Sequence, residues 1–176
     1  MKIFIMISMF VMFFSTLLSM PNKKEIIKYE KEFFEKECLS DTTMSLKVFF
    51  LTNKYTQIHK VKKRVVFRVL RLETGYKGPL HRNYIPQQIS SSNAYGSMQL
   101  LRSTADWVFY NFANPKTYEP TLTKNILLNN VELNIRLGIK YLRHLYLYNN
   151  YHWGYATGYY NTGYKRINSY ALYASS

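Results

Sequence analysis

From residue 57 to residue 176 the chain carries only four carboxylates, Glu73, Asp106, Glu119 and Glu132, against 16 lysines and arginines. Acid–base chemistry in this stretch therefore rests on very few groups. A site built on two carboxylates, or on carboxylates around a metal, is hard to assemble from them. Glu73 is distinguished by its position, because Arg71-Leu72-Glu73-Thr74-Gly75 closes a helical pattern and leaves the carboxyl on the last turn. The helix macrodipole is negative at that end, so it opposes ionisation and holds the proton more tightly than water does. A general acid at neutral pH needs that bias. A lone Glu at a helix end is nevertheless ordinarily a solvated surface residue, and spacing alone leaves both readings open. Asp106 and Glu132 fall within helical patterns and Glu119 precedes Pro120; ordinary surface charge is their plain reading, with Asp106 the one helix-borne candidate for a second acid.

Other chemistries find little support. His59, His81, His144 and His152 are scattered without HxxxH or HExxH spacing, and Cys38 is the single cysteine. No metal site, disulfide framework or cofactor is expected from them.

The elements that must position Glu73 follow from composition and period. A chain of 176 residues with 47% apolar, 17% aromatic and 19% charged residues, and only 7 Gly and 5 Pro, is a folded chain with room for one domain and its core. The formal charge of +14 favours polyanionic or acidic partners. Nucleic acid is one such partner, but no RNP, KH or zinc-finger pattern occurs.

Residues 1–20 read as an export signal peptide or N-terminal membrane anchor: Lys2 is followed by an almost wholly apolar run from Ile3 to Leu18. Export places the protein in the periplasm or cell envelope. Residues 21–57 read as an N-terminal helical extension, in which 22–37 alternates charge with Ile26, Ile27, Tyr29, Phe33 and Phe34. From Ile58 to Glu73, Ile58, Val61, Val65, Val69 and Leu72 recur at steps of three and four, which predicts an amphipathic helix stopped at Thr74-Gly75. A polar loop over 77–95 leads to a second helix opening at Gly96-Ser97, with Ser97 as its cap. A third helix is expected from Lys124 to Tyr148, with Leu127, Val131, Ile135, Leu142 and Leu145 inward and Gly138 marking close packing. The segment from His152 to Ile167 holds too many glycines for a free-standing helix, and its aromatics suit a sugar- or base-stacking wall. No strand pattern is convincing, so an all-α, mainly helical fold is expected.

Four segments in order resemble a known family. Arg71-Leu72-Glu73-Thr74, Ser90-Ser91-Ser92-Asn93-Ala94-Tyr95-Gly96-Ser97-Met98-Gln99-Leu100, Asn134 with Gly138 and Tyr141-Leu142, and Gly158-Tyr159-Tyr160-Asn161-Thr162-Gly163 are similar to the successive signatures of soluble lytic transglycosylase (SLT) domains, members of the lysozyme-like superfamily. Order and approximate spacing match over about Ile58 to Asn168, so the domain is placed at 58–176. The chain departs from the family pattern at Asn93, Ser97, Thr74 and Gly158-Tyr159, and in a longer interval between Glu73 and Gln99. Asn at position 93 tolerates positive φ.

The resemblance implies a lysozyme-like helical fold and a peptidoglycan substrate. It also implies cleavage of the β-1,4 bond between N-acetylmuramic acid and N-acetylglucosamine, with formation of a 1,6-anhydro ring and Glu73 serving as acid and then base. Ordinary glycosidases use two carboxylates for the corresponding work. The motif match assigns Ser90, Met98 and Gln99 to the sugar groove. It sets Tyr160 and Asn161 facing Glu73, with the Tyr160 phenol within hydrogen-bond reach of the carboxyl. Plainer readings compete: Met98 as core, and Gln99 and Asn161 as helix caps. A hydrolytic lysozyme-type muramidase and a non-catalytic peptidoglycan-binding protein remain alternatives.

Overall fold

The computed structural model describes residues 43–75, 85–110 and 122–176. The apolar leader 1–20, the segment 22–37, Cys38, His81 and Glu119 lie outside the described residues. Helix α1 is Thr43–His59 and helix α2 is Lys63–Glu73. In α2, Val65, Val66, Phe67, Val69 and Leu70 are all buried, so the helix is covered on most sides rather than along the single stripe its period suggests. At roughly 1.5–3 kcal/mol for each large apolar side chain removed from water, this short helix is a principal source of stability.

The single helix expected from Ile58 to Glu73 is in fact two. Lys60 adopts a left-handed φ of 52°, and the Val61 N–H reaches back to the Thr56 carbonyl at 3.0 Å, closing α1 before α2 begins. Ile58 consequently belongs to α1 and is exposed. The boundary expected between residues 57 and 58 falls within the last turn of α1. Val48, Phe49, Leu51 and Tyr55 of that helix join the common core, so the helical domain reaches back at least to Thr43. Thr52 and Thr56 enter the core without stranding their hydroxyls, because each donates to the carbonyl four residues earlier, at 2.8 Å.

The helix expected to open at Gly96-Ser97 is replaced by a small hairpin. Strand β1, Ala94–Tyr95, pairs antiparallel with β2, Leu100–Leu101, and helix α3, Arg102–Tyr110, starts only after it. Asn93, Gly96 and Gln99 all have positive φ, which no α-helix accepts, and Ser97 is buried rather than capping. The pattern expected from Lys124 to Tyr148 also divides, into α4, Lys124–Asn129, and α5, Val131–Tyr148. Thr123 caps α4 and Asn130 caps α5, each side-chain oxygen accepting a backbone N–H three residues on. The inward residues Leu127, Val131, Ile135, Leu142 and Leu145 are buried as the period requires.

Helix α6, Trp153–Thr162, and helix α7, Ser169–Ser175, complete the fold. The glycine-rich segment does form a helix once it is packed: a side chain at Gly158 would collide with the Arg166 carbonyl, so glycine lets the returning chain lie on α6. Helix α1 packs on α5, α5 on α6, α6 on α7, and α7 closes onto α2. The fold is mainly helical, and among the described residues no helix is long and apolar enough to cross a membrane.

Candidate active site

Glu73 is the last residue of α2, as the sequence requires. Thr74 caps the helix, its hydroxyl donating to the Leu70 carbonyl at 2.7 Å, and Gly75 turns the chain away with a φ of 64°. The residue as a whole keeps part of its surface open to solvent, while its carboxyl is closely surrounded by protein. Burial pushes its pKa up to about 7, while a hydrogen bond from Tyr170 pulls the other way. The direction agrees with the helix-end argument, but the cause is desolvation rather than the macrodipole.

The phenol that meets Glu73 is not that of Tyr160. Tyr170, on α7, donates to Glu73 Oε1 at 2.6 Å. Tyr160, on α6, instead donates to the Met98 carbonyl at 2.6 Å, tying α6 to the hairpin. Burial holds both phenols well above their usual range, and the Glu73 charge adds to it. Both rings therefore stay protonated donors around a carboxyl that can hold or release its proton near neutrality. The match to the family signatures ends at Asn168, two residues short of Tyr170. The local signal for this region was Asn168 itself, whose side chain accepts from the Ala171 N–H and sets the start of α7.

The hairpin is held at both ends by Asn134 of α5, which is fully buried. Its Oδ1 accepts from the Met98 N–H at 2.9 Å and its Nδ2 donates to the Tyr95 carbonyl at 2.8 Å. Two glycines make the approach possible. A Cβ on Gly96 would lie 2.6 Å from Asn134 Cγ, and one on Gly138 would lie 2.6 Å from Met98 Cβ. This is the physical content of the Asn134 and Gly138 spacing: one helix turn supplies both the amide that ties the hairpin and the gap that receives Met98.

The other residues expected at the site divide. Met98 is fully buried against Gly138, so its side chain packs the hairpin instead of lining a groove. Gln99 is half-buried, its Nε2 donating to the Gly96 carbonyl at 2.7 Å and the Gln88 carbonyl at 3.2 Å. It braces the hairpin and caps no helix. Ser90 shapes the turn before β1, its hydroxyl accepting from the Ala94 N–H at 3.0 Å. Asn161 is exposed and accepts from Asn168 Nδ2 at 3.1 Å.

The remaining described carboxylates are engaged elsewhere. Asp106, expected as surface charge, is 2% exposed; its Oδ1 accepts from the Leu122 N–H at 3.2 Å and its Oδ2 lies 3.8 Å from Arg102 Nε. Arg102 Nε in turn donates to the Leu122 carbonyl at 2.7 Å, so the pair clamps the chain as it enters α4. Glu132 is held below the usual carboxyl range by hydrogen bonds from Tyr55 at 2.5 Å and Lys54 at 3.0 Å, which join α1 to α5.

An aromatic layer extends from the Glu73 cluster. The Tyr160 ring lies 5.4 Å from that of Tyr141, and Trp107 stands edge-on to Tyr141 at 6.1 Å and to His144 at 4.7 Å. Beyond Tyr141 these rings border an open cavity of about 370 Å³ between α3, α5 and α6. Trp107 was not singled out from the sequence, and His144 was read there only as one of four scattered histidines. Their i to i+4 relation to Ser103 and Tyr148 is legible only once the helices are known to face one another.

The chain from residue 50 to 176 matches the family model described as the transglycosylase SLT domain. No curated protein matches the chain. Among solved structures it is similar to an inactive mutant of the lytic transglycosylase Slt from Pseudomonas aeruginosa, at 18% identity and a TM-score of 0.54, over 72% of this chain and 22% of that one. It is also similar to the 70 kDa soluble lytic transglycosylase from Escherichia coli, at 23% identity and a TM-score of 0.52, over 72% of this chain and 18% of that one. The chain thus spans about a fifth of the length of these two proteins, and at such identities the likeness speaks for the fold. With the family model covering everything from the middle of α1 to the end of α7, around a helix-ending Glu73, the chain belongs to the transglycosylase SLT domain family.

Proposed function

We propose that the protein is a peptidoglycan lytic transglycosylase in which Glu73 is the single catalytic acid and base. The observation that carries this reading is the Glu73 carboxyl: part-enclosed at a helix end, with its pKa pushed up to about 7 and oriented by one tyrosine hydroxyl. A group balanced near the working pH donates and accepts with comparable ease, which a two-stroke mechanism requires. In the first stroke Glu73 gives its proton to the glycosidic oxygen as the bond from that oxygen to the muramyl anomeric carbon breaks. The positive charge growing at that carbon is met by the substrate's own acetamido oxygen. In the second stroke the Glu73 carboxylate takes the proton from the C6 hydroxyl, whose oxygen closes onto the anomeric carbon. The products are a 1,6-anhydromuramyl end and a free N-acetylglucosamine hydroxyl, Glu73 is reprotonated, and no water is consumed.

Tyr170 acts in this scheme as the positioning donor, while Tyr160, Met98 and Gln99 fix the hairpin that forms the neighbouring wall. Two described acids are committed to structural contacts, Asp106 to Leu122 and Glu132 to Tyr55 and Lys54, which speaks for one carboxyl in place of the pair a hydrolase of the usual kind employs. The apolar leader 1–20 supports export to the envelope, where the substrate lies, and residues from Thr43 onward form the catalytic unit. The test is mass spectrometry of products released from purified sacculi. Anhydromuramyl ends are expected, and reducing muramyl ends would replace the transglycosylase with a muramidase.

A further inference from the structure

Arg68 is a residue that the two-stroke chemistry does not use. It lies in the middle of α2, between Phe67 and Val69, and is 7% exposed. Withdrawing a cation from water is costly, and a methionine or leucine at this position would join the surrounding core without that cost. Stability of α2 alone therefore gives little reason for an arginine. Two of its contacts reach α7. Its Nη1 donates to the Ser176 hydroxyl at 2.7 Å, and its guanidinium carbon lies 5.5 Å from the centre of the Tyr173 ring. The Ser176 hydroxyl in turn donates to the Tyr173 carbonyl at 3.1 Å, which passes the grip to the backbone of the helix.

Helix α7 needs such a grip. At seven residues it is too short to hold its own shape in water, so packing sets its position. Its start is fixed by the Asn168 cap, and its buried residues are alanines, Ala171 and Ala174, the first beside Gly158 of α6. Methyl groups set the spacing between two helices but do little to stop one rolling on the other. The described side-chain ties to α2 are Tyr170 to Glu73 at the start of α7, and Arg68 to Tyr173 and Ser176 at its end. Arg68 precedes Glu73 by five residues, about 7.5 Å of helix rise, so the two helices run antiparallel and the ties stand at opposite ends of their contact. We propose that Arg68 is a positioning residue: by holding the end of α7 against rotation it keeps the Tyr170 hydroxyl on the Glu73 carboxyl. The route runs through α7 and not through charge, because the causes that set the Glu73 pKa are burial and the Tyr170 bond. The other titratable group coupled to Glu73 among the described residues is Tyr160 of α6, a neutral phenol. The proposal rests on the reading of Glu73 as the acid and adds to it what secures the donor.

The experiment follows the Glu73 carboxyl by NMR during pH titration of the whole chain labelled with carbon-13 glutamate, with Glu73→Gln used to assign the resonance. In the wild-type protein the midpoint is expected at about 7. Arg68→Met keeps the stem of the side chain and removes the guanidinium. It is expected to raise the midpoint by about half a pH unit, in the direction of Tyr170→Phe, because a loosened phenol stabilises the carboxylate less. In a Tyr170→Phe background the same substitution is expected to add nothing, since two changes that act through one contact do not sum. Ser176→Ala, at an exposed residue, is expected to give a smaller shift of the same sign, and it decides the question if Arg68→Met does not fold. An arginine that serves stability alone would leave the midpoint where it is. An unmoved midpoint in folded Arg68→Met, or in Ser176→Ala if the former fails to fold, overturns the proposal, and so does a shift of equal size with and without the Tyr170 hydroxyl. Release of muropeptides from sacculi by the wild-type protein is read in parallel. Anhydro products with an unmoved midpoint reject the role of Arg68 and keep the transglycosylase, whereas a moved midpoint without any product keeps that role and rejects the enzyme.

Discussion

Glu73 and Asp106 are both withdrawn from solvent and both on helices, and they are engaged differently. Asp106 is met by a backbone N–H from Leu122 and by the Arg102 guanidinium, so its two oxygens act as acceptors in a clamp between α3 and the start of α4. Glu73 accepts from one phenol, and burial pushes its pKa up to about 7. The contrast teaches that burial of a carboxyl does not by itself make an acid catalyst. Engaged on both oxygens by neighbouring groups, a carboxyl becomes a structural clamp; engaged by one phenol, it stays available for other work.

The largest expected effect is on turnover at the first of these sites. Glu73→Gln keeps the shape and the capacity to accept from Tyr170 but cannot transfer a proton, so release of muropeptides should fall by at least about a thousandfold while circular dichroism is unchanged. Comparable turnover in the variant would erase the distinction between the two carboxyls. At the second site the effect should appear in stability. Asp106→Ala strands the Leu122 N–H and is expected to cost about 2–3 kcal/mol in urea denaturation, with kcat of the folded protein little changed.

The contrast sharpens with pH. Because the folded pKa of Glu73 is about 7 and the reference value is 4.5, the folded state binds the proton more tightly than the unfolded chain. The stability this contributes is whole below about pH 4.5 and is lost as the pH rises through about 7. Between pH 5 and pH 8 the wild-type protein should therefore lose on the order of 2 kcal/mol relative to Glu73→Gln. Parallel stability curves for the two proteins would mean that the carboxyl is not desolvated.

The smallest effects separate the two tyrosines. Tyr170→Phe removes the hydrogen bond that draws the Glu73 pKa down, so the basic limb of the pH–rate profile should move upward and turnover at pH 7 should drop about tenfold. Tyr160→Phe removes a bond to the Met98 carbonyl and is expected to cost roughly 1 kcal/mol of stability with the limb unmoved. If the limb moved with Tyr160 and not with Tyr170, the assignment of the two phenols would be reversed.

Much of this molecule is local and was legible. The stop at Glu73 follows from Thr74-Gly75 and the inward faces of α4 and α5 from their period. The close approach at Gly138 was signalled by a glycine in mid-helix. These features depend on residues a few positions apart, where backbone sterics and helical spacing decide the outcome. The breaks at Lys60 and Asn130 escaped notice because the apolar period runs through them without interruption. The hairpin escaped because its left-handed residues, Gln99 among them, are held there by Asn134, 36 positions from Met98.

What the sequence determined by itself is a helical chain with one acid at a helix end, few rivals to it, and a set of signatures in family order. Tertiary structure alone decided which phenol reaches that acid and which carboxylate becomes a clamp. It also decided which rings border a common cavity. Tyr170 and Glu73 are 97 residues apart, and Tyr160 and Met98 are 62 apart. No local preference can rank such partners. The choice is made when α7 closes onto α2 and α6 onto the hairpin, since a buried donor must find an acceptor among the groups that packing brings to it.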